Sequence, residues 1–238
     1  MATERILLVL GNSVSQAPPE AAEPVFPYPD LLQERLKSAG WRVEQRSASG
    51  ATVEEIERTA RAALPQLCPS AVVIQLGIVD CAPRPLRPLE RNLLGHVRPS
   101  ALRNWFVALI HEHRAAIIGR RRLIQRMEIA PFREHFRRLV DQCLAVASKV
   151  SILPIFPATE SILARNPRLA AEIGKYNEAM RTDPRAVALD AEDVFGGVSI
   201  EALCAAPESV HLNQRGHDLI ARRLECWLLK ATPTIEAE

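Results

Sequence analysis

Short aliphatic runs alternate with segments of helical pattern along this chain, and the alternation constrains its fold more than any other feature. The first run, RILLVL (5–10), is apolar throughout and stops at Gly11, which is typical of a parallel strand covered on both faces. Further strands are predicted at 41–47, 70–77, 150–156 and 186–190. Because helices are predicted between the strands, right-handed crossovers should build a five-stranded parallel sheet with helices on both faces.

Helical spacing of apolar residues predicts three of these helices clearly, at 27–40, 51–67 and 213–230. Pro65 is expected to end the second of them, because proline cannot continue the backbone hydrogen bonding of a helix. The segment 81–139 is too long for a simple connection and is predicted to be a helical insertion after the third strand.

The insertion is rich in arginine. Ten arginines lie between positions 84 and 126, against only two acidic residues, Glu90 and Glu112. Two interpretations stay open: a solvated helix face, or a lid over an anionic ligand, since guanidinium groups bind phosphate and carboxylate bidentately. Few aromatic residues accompany these arginines, and the whole chain has a net charge of only +2, so we expect no nucleic-acid partner.

The 238 residues suit a single domain, 1–238. The five cysteines are widely spaced and odd in number, which predicts neither a disulfide framework nor a zinc site. His111 and His113 are two residues apart on a predicted helix and point in nearly opposite directions, so we expect no metal there. The apolar run 6–10 is too short for a secretory signal, and no membrane span is expected, so a cytoplasmic location fits best.

Polar residues follow the predicted strands at the edge where ligands bind in such sheets. Ser13, in GNSVS, comes directly after the first strand, and Gly50, in SASGAT, follows the second. ESVHLNQRGH (208–217) precedes the last helix and carries Glu208 and His211. A serine hydroxyl, an imidazole and a carboxylate are the groups of a serine nucleophile with its base, although Ser13 alone would be an ordinary turn residue.

Taken together, these segments resemble the SGNH (GDSL-type) hydrolases. GNSVS resembles the GDSxS block of that family, SASGAT its glycine block, and ESVHLNQRGHDLIA its DxxH block, while LGIVDC stands where its GxND block should be. The four segments occur in the family's order over 4–80 and 150–225. The resemblance implies a three-layer α/β/α flavodoxin-like fold with strand order 2-1-3-4-5.

The resemblance also implies a chemistry. Ser13 would attack an acyl carbon, His211 would act as base and then acid, and Glu208 would orient His211. The backbone N–H groups of Ser13 and Gly50 would hold the oxyanion. No metal and no organic cofactor is implied.

The chain departs from the family at three positions. Asn12 and Glu208 each replace the usual Asp, while Val79 replaces the Asn that supplies a side-chain donor to the oxyanion. Loss of one such donor lowers rates by a factor on the order of 10²–10³. We consider Arg84 and Asn92 as replacements for this donor, and Asp80 either as a buttress of the loop after the third strand or as a contact to substrate.

The expected function is hydrolysis of a small acylated metabolite or sugar, with an anionic ester among the candidate substrates. Asn12, Asp80, Arg84 and Asn92 are the predicted substrate-binding residues. Two alternatives remain: acyl transfer to a sugar or natural-product acceptor, and non-catalytic binding of an anionic ligand on the same fold.

Overall fold

The computed structural model of the chain describes residues 4–181 and 183–229. Five parallel strands form one sheet in the order β2-β1-β3-β4-β5. The strands are β1 (Arg5–Gly11), β2 (Trp41–Ser47), β3 (Ala71–Gln75), β4 (Lys149–Ile152) and β5 (Val187–Ala188). The predicted fold class and strand order are therefore confirmed.

Eleven α-helices are present in the part of the chain that the structure describes. They are α1 (Tyr28–Leu36), α2 (Val53–Leu67), α3 (Ile78–Cys81), α4 (Pro88–Gly95), α5 (Ser100–Glu112), α6 (Arg114–Arg120), α7 (Ile129–Leu144), α8 (Glu160–Arg165), α9 (Leu169–Met180), α10 (Ala191–Phe195) and α11 (Gln214–Leu229). None of these helices has both the length and the apolar character needed to span a bilayer.

The sheet separates two hydrophobic cores because successive side chains of a strand point to opposite faces. Leu8 and Leu10 of β1 pack in one core with residues of α2, α7 and α9. Leu7 and Val9 pack in the other core with residues of α1, α10 and α11. All four of these β1 side chains are fully buried, which explains why the strand is apolar at every position.

Three strands, β3, β4 and β5, are shorter than predicted. β4 ends at Ile152 rather than at 156, because Pro154 has no N–H to donate to a neighbouring strand. Pro65 does not end α2, which continues to Leu67; a proline in the last turn removes only one helical hydrogen bond. The lysine at 230, predicted to lie in the last helix, falls outside the described residues.

The helical insertion after β3 ends earlier in the structure than the sequence predicted. The predicted segment reached 139, but residues 129–139 belong to α7, the helix that connects β3 to β4. Phe132, Phe136 and Leu139 of α7 are fully buried in the core that faces α2. The residues that add to the basic fold are therefore those between α3 and α7, which include α4, α5 and α6.

Candidate active site

Ser13 lies at the carboxyl edge of the sheet, in a tight turn directly after β1. The turn is a short 3-10 helix, 13–15, capped by the Asn12 side chain, whose Oδ1 accepts the N–H of Val14 at 3.1 Å. Gly11 lets this turn lie close to β3, since a Cβ there would lie 2.7 Å from Ser15 Oγ and 3.2 Å from the carbonyl oxygen of Gln75. The turn is thus fixed by its own sequence, and Ser13 remains half-buried at its start.

His211 reaches Ser13 from the loop that precedes α11. Its Nε2 lies 3.0 Å from Ser13 Oγ, across 198 positions of sequence. The loop is held by Asn213, whose N–H donates to the carbonyl of Leu203 at 2.8 Å and whose Nδ2 donates to the carbonyl of Ala202 at 2.9 Å. The structure therefore brings together the serine and the histidine that the sequence identified.

The other ring nitrogen of His211 is bonded to a carboxylate that sequence reasoning missed. Nδ1 of His211 lies 2.7 Å from Oε1 of Glu20. The Ser209 hydroxyl donates to the same oxygen and accepts the N–H of His211 at 2.8 Å. Burial raises the pKa of Glu20, but the hydrogen bonds from Ser209 and His211 outweigh it and leave this pKa below its usual value.

Glu208, the predicted partner of His211, does not occupy this position in the structure. Glu208 is largely exposed and forms an ion pair with Arg165. Glu208 and His211 are three positions apart in the sequence. The segment that contains them is a loop rather than a helix, so this spacing does not bring their side chains together. Glu20 comes from a proline-rich loop with no motif around it, and no sequence signal marked it.

The loop that carries Glu20 is attached to α11. The N–H of Phe26 donates to Oε1 of Gln214 at 2.8 Å, and the N–H of Tyr28 donates to Nδ1 of His217 at 3.3 Å. Burial lowers the pKa of His217 to about 4, so its ring is neutral near pH 7 and able to accept this bond. Gln214 and His217 both belong to the first turn of α11, which directly follows the loop of His211.

When the His211 ring is neutral, these hydrogen bonds determine which of its two nitrogens carries the proton. An ionised carboxylate only accepts hydrogen bonds, so the proton lies on Nδ1, facing Glu20. Nε2 is then left with a lone pair directed at the Ser13 hydroxyl. This arrangement is able to remove a proton from the serine as the serine attacks.

A model of the GDSL-like lipase/acylhydrolase family matches residues 9–219. The chain belongs to this family. It is accordingly an enzyme of the esterase and acylhydrolase class, as the blocks around Ser13 and His211 predicted. No curated protein sequence is significantly similar to it.

Solved structures of other proteins share the fold of this GDSL-family chain. A lipase/acylhydrolase from Enterococcus faecalis has a TM-score of 0.63 at 16% identity, with 98% of this chain and 100% of that chain covered. A catalytic mutant of an acetylxylan esterase from Geobacillus stearothermophilus has a TM-score of 0.61 at 15% identity, with coverage of 100% and 99%. A psychrotrophic esterase from Pseudoalteromonas sp., inhibited by monoethylphosphonate, has a TM-score of 0.53 at 16% identity, with coverage of 95% and 97%.

The two backbone N–H groups that the sequence predicts as oxyanion donors are without hydrogen-bond partners in the described part of the GDSL-family chain. Among the described residues, neither the N–H of Ser13 nor that of Gly50 makes a hydrogen bond. Gly50 lies in the exposed turn after β2 with φ of +70°, a conformation that favours glycine. Val79 lies in α3 and brings only a hydrocarbon side chain to the position of the family's Asn.

The other predicted substrate-binding residues lie in different surroundings. Arg84 follows α3, and Asn92 is exposed on α4; within the described residues neither is hydrogen-bonded to Ser13 or His211. Asn12 is fully buried and borders an apolar cleft next to the serine turn, and its Nδ2 has no partner among the described residues. The roles of Arg84 and Asn92 as replacement oxyanion donors stay predictions.

Asp80 has the contacts of a buttress, which is one of its two predicted roles. Its side chain is fully buried, and its two carboxylate oxygens accept the N–H of Val53 at 3.2 and 3.3 Å, at the start of α2. Burial raises the pKa of Asp80 to about 7, although the bond from Val53 and the charge of Arg126 act in the opposite direction.

Asp80→Asn is expected to make the stability of the protein less sensitive to pH. A carboxyl group with a raised pKa in the folded state binds more protons when folded, so stability falls as the pH rises from its ordinary pKa to about 7. The free energy of unfolding of the wild type should fall relative to that of Asp80→Asn by about 2 to 3 kcal/mol between about pH 5 and about pH 8. Urea unfolding at both pH values measures this, and equal pH dependence in the two proteins would contradict it.

Proposed function

We propose that the protein hydrolyses carboxylic esters with Ser13 as nucleophile, His211 as base and acid, and Glu20 as the residue that orients His211. The observation that supports this most strongly is the continuous hydrogen-bonded series from Glu20 through both ring nitrogens of His211 to Ser13 Oγ. Serine hydrolases on unrelated folds use this same order of groups, so the geometry carries the assignment independently of sequence position.

In the first half of the reaction, Ser13 Oγ attacks the acyl carbon while Nε2 of His211 takes the hydroxyl proton. Glu20 stabilises the imidazolium that forms, because its carboxylate faces the Nδ1 proton. The tetrahedral intermediate then loses the alcohol, which leaves with the proton from Nε2. Ser13 is left as an acyl ester of the enzyme.

In the second half, a water molecule attacks the acyl-enzyme and gives its proton to Nε2 of His211. Collapse of the second intermediate releases the carboxylic acid and returns the proton to Ser13. We assign the backbone N–H groups of Ser13 and Gly50 to the oxyanion in both intermediates. With Val79 in place of a third donor, turnover should be slower than in a site with all three, by a factor on the order of 10²–10³.

The surroundings of the serine support a small acyl group on one side and an alcohol on the other. An apolar cleft beside the serine turn is lined by Val14, Ile78, Pro154 and Val210, with Asn12 at its border. We assign the acyl group to this cleft. A second cleft contains His211 and Glu20 together with Arg114 and Arg165, and its polar lining suits the alcohol portion of an ester.

Labelling by a fluorophosphonate tests the proposal. Ser13 Oγ should displace fluoride and form a phosphorus–oxygen bond, with His211 taking the proton, so that the intact protein gains the mass of one phosphonyl group. Peptide mapping should place that group on Ser13, and heat-denatured protein should remain unlabelled. The absence of labelling in folded protein, or labelling confined to another serine, would contradict the proposed nucleophile.

A further inference from the structure

A cleft in the insertion is lined by four arginines and by no acidic residue. It lies between the segment after α3 and the helices α4, α5 and α6, and it opens to solvent. The arginines are Arg84, Arg91, Arg114 and Arg126, and aliphatic side chains such as Leu94 and Ile110 form much of the remaining wall. We call this feature the arginine cleft.

The positive charge of the arginine cleft is poorly neutralised. Of the four arginines of the cleft, only Arg126 forms an ion pair within the described residues, a long one of 3.8 Å to Glu55. Arg114 donates at 3.5 Å to the carbonyl oxygen of Pro83, and the side chain of Arg84 makes no hydrogen bond to any described residue, although its Nε is buried. An unpaired guanidinium whose donor is removed from water is costly unless a ligand supplies the acceptor.

The arginines also act on one another. Burial lowers the pKa of Arg84, and the charges of Arg126, Arg91 and Arg114 lower it further, while the charge of Asp80 has a smaller effect in the opposite direction. A solvated helix face would instead keep its guanidinium groups apart on a convex surface. By contrast, Arg121 in the same insertion is paired with Glu90 and lies outside the lining of the cleft. A bound anion would relieve the repulsion among the guanidinium groups of the arginine cleft.

The arginine cleft adjoins the proposed active site at one residue. Arg114 lines the arginine cleft and also lines the cleft that contains His211 and Glu20. A molecule extending from Ser13 along the alcohol side of the site would therefore meet Arg114 first and then the other three arginines. The aliphatic walls would contact the uncharged part of such a molecule.

We propose that the arginine cleft binds an anionic group, a phosphate or a carboxylate, carried by a molecule with an apolar portion. Guanidinium groups recognise both anions through paired N–H donors, and the cleft offers no carboxylate that would repel them. The anion belongs either to the alcohol portion of the ester substrate or to a separate small ligand. Only the first of these sources rests on the proposed function.

Titration with inorganic phosphate tests the binding site without any need for turnover. The protein is Ser13→Ala, and chloride at equal ionic strength is the reference. Phosphate should raise the thermal unfolding midpoint and give a measurable calorimetric dissociation constant. In the same background, Arg84→Gln combined with Arg91→Gln should increase that constant by about tenfold or more. Arg91→Gln alone changes an exposed side chain and should increase it by about threefold.

Arg120→Gln is the matched control. Arg120 lies in the same insertion, is exposed and is not part of the lining, so its loss removes the same charge without changing the cleft. Phosphate binding should stay within about twofold in this variant. The proposal is overturned if phosphate acts no differently from chloride, if the folded double variant binds phosphate as well as its parent, or if Arg120→Gln weakens binding equally.

Two esters distinguish the sources of the anion in enzyme with Ser13 intact. p-Acetoxybenzoate carries a carboxylate on its alcohol portion, and phenyl acetate does not. If the anion belongs to the ester, the kcat/KM ratio of p-acetoxybenzoate to phenyl acetate should fall about tenfold in the double variant Arg84→Gln with Arg91→Gln and stay within about twofold in Arg120→Gln. An unchanged ratio with weakened phosphate binding indicates a separate anion. If phosphate binds as expected but neither ester is hydrolysed, the proposed function is refuted, whereas the proposal that the arginine cleft binds an anion is retained.

Discussion

Ser13→Ala is expected to lower kcat/KM for p-nitrophenyl acetate by a factor of about 10⁴ or more. Without Oγ no acyl-enzyme forms, and only binding and oxyanion contacts remain, which in serine hydrolases leave a residual activity about 10³–10⁴-fold above the uncatalysed reaction. The measurement is the initial rate of p-nitrophenol release, with the spontaneous rate subtracted.

The fold should survive this substitution. Ser13 is half-buried, and in the described residues its hydroxyl is bonded only to His211, so its removal leaves no buried group without a partner. The free energy of unfolding should change by less than about 1 kcal/mol. A folded Ser13→Ala protein that hydrolyses the ester at the wild-type rate would remove Ser13 from the mechanism.

Glu20→Gln is expected to lower kcat by a factor on the order of 10³–10⁴, while Glu208→Gln leaves kcat within about twofold. The Gln amide can donate to Nδ1, which places the ring proton on Nε2 and leaves no base facing Ser13. The lowered pKa of Glu20 keeps the wild-type carboxylate ionised at neutral pH, so its charge is also lost in the variant.

The two glutamates form a matched pair, since the same change is made in two nearby acids of different environment. Glu208 is bonded to Arg165 at the surface, and Glu20 is bonded to His211. KM should stay within about threefold in Glu20→Gln, because the change affects proton transfer rather than substrate binding. A large loss in Glu208→Gln with normal activity in Glu20→Gln would show that a different conformation performs the reaction.

Much of the fold was predictable because burial leaves a local record in the sequence. The central strands β1 and β3, and most of β4, were visible as apolar runs, since both faces of a parallel sheet are covered. The edge strand β2 was visible instead as an alternation of apolar and charged residues. Ser13 and His211 were identifiable for a related reason. Each lies in a motif next to a regular element, and strand ends of such sheets lie together at one edge.

Glu20 was not predictable from the same reasoning. It lies 191 positions from His211, in a loop without secondary structure, and its position depends on bonds made after the chain has folded. Glu208 had the more suggestive spacing, but its side chain pairs with Arg165 instead. The abundance of arginine in the insertion was visible in the sequence, whereas the concave arrangement of four of them required the packing of α4, α5 and α6.

The attachment of the Glu20 loop to α11 has a mechanical consequence. Phe26 and Tyr28 hold one end of that loop to Gln214 and His217, only a few residues after His211. The two partners of the imidazole–carboxylate pair are therefore anchored to one common body, the amino end of α11, whereas Ser13 is anchored to the sheet. A small displacement of α11 would alter the gap between His211 and Ser13 while the bond between His211 and Glu20 travelled with the helix.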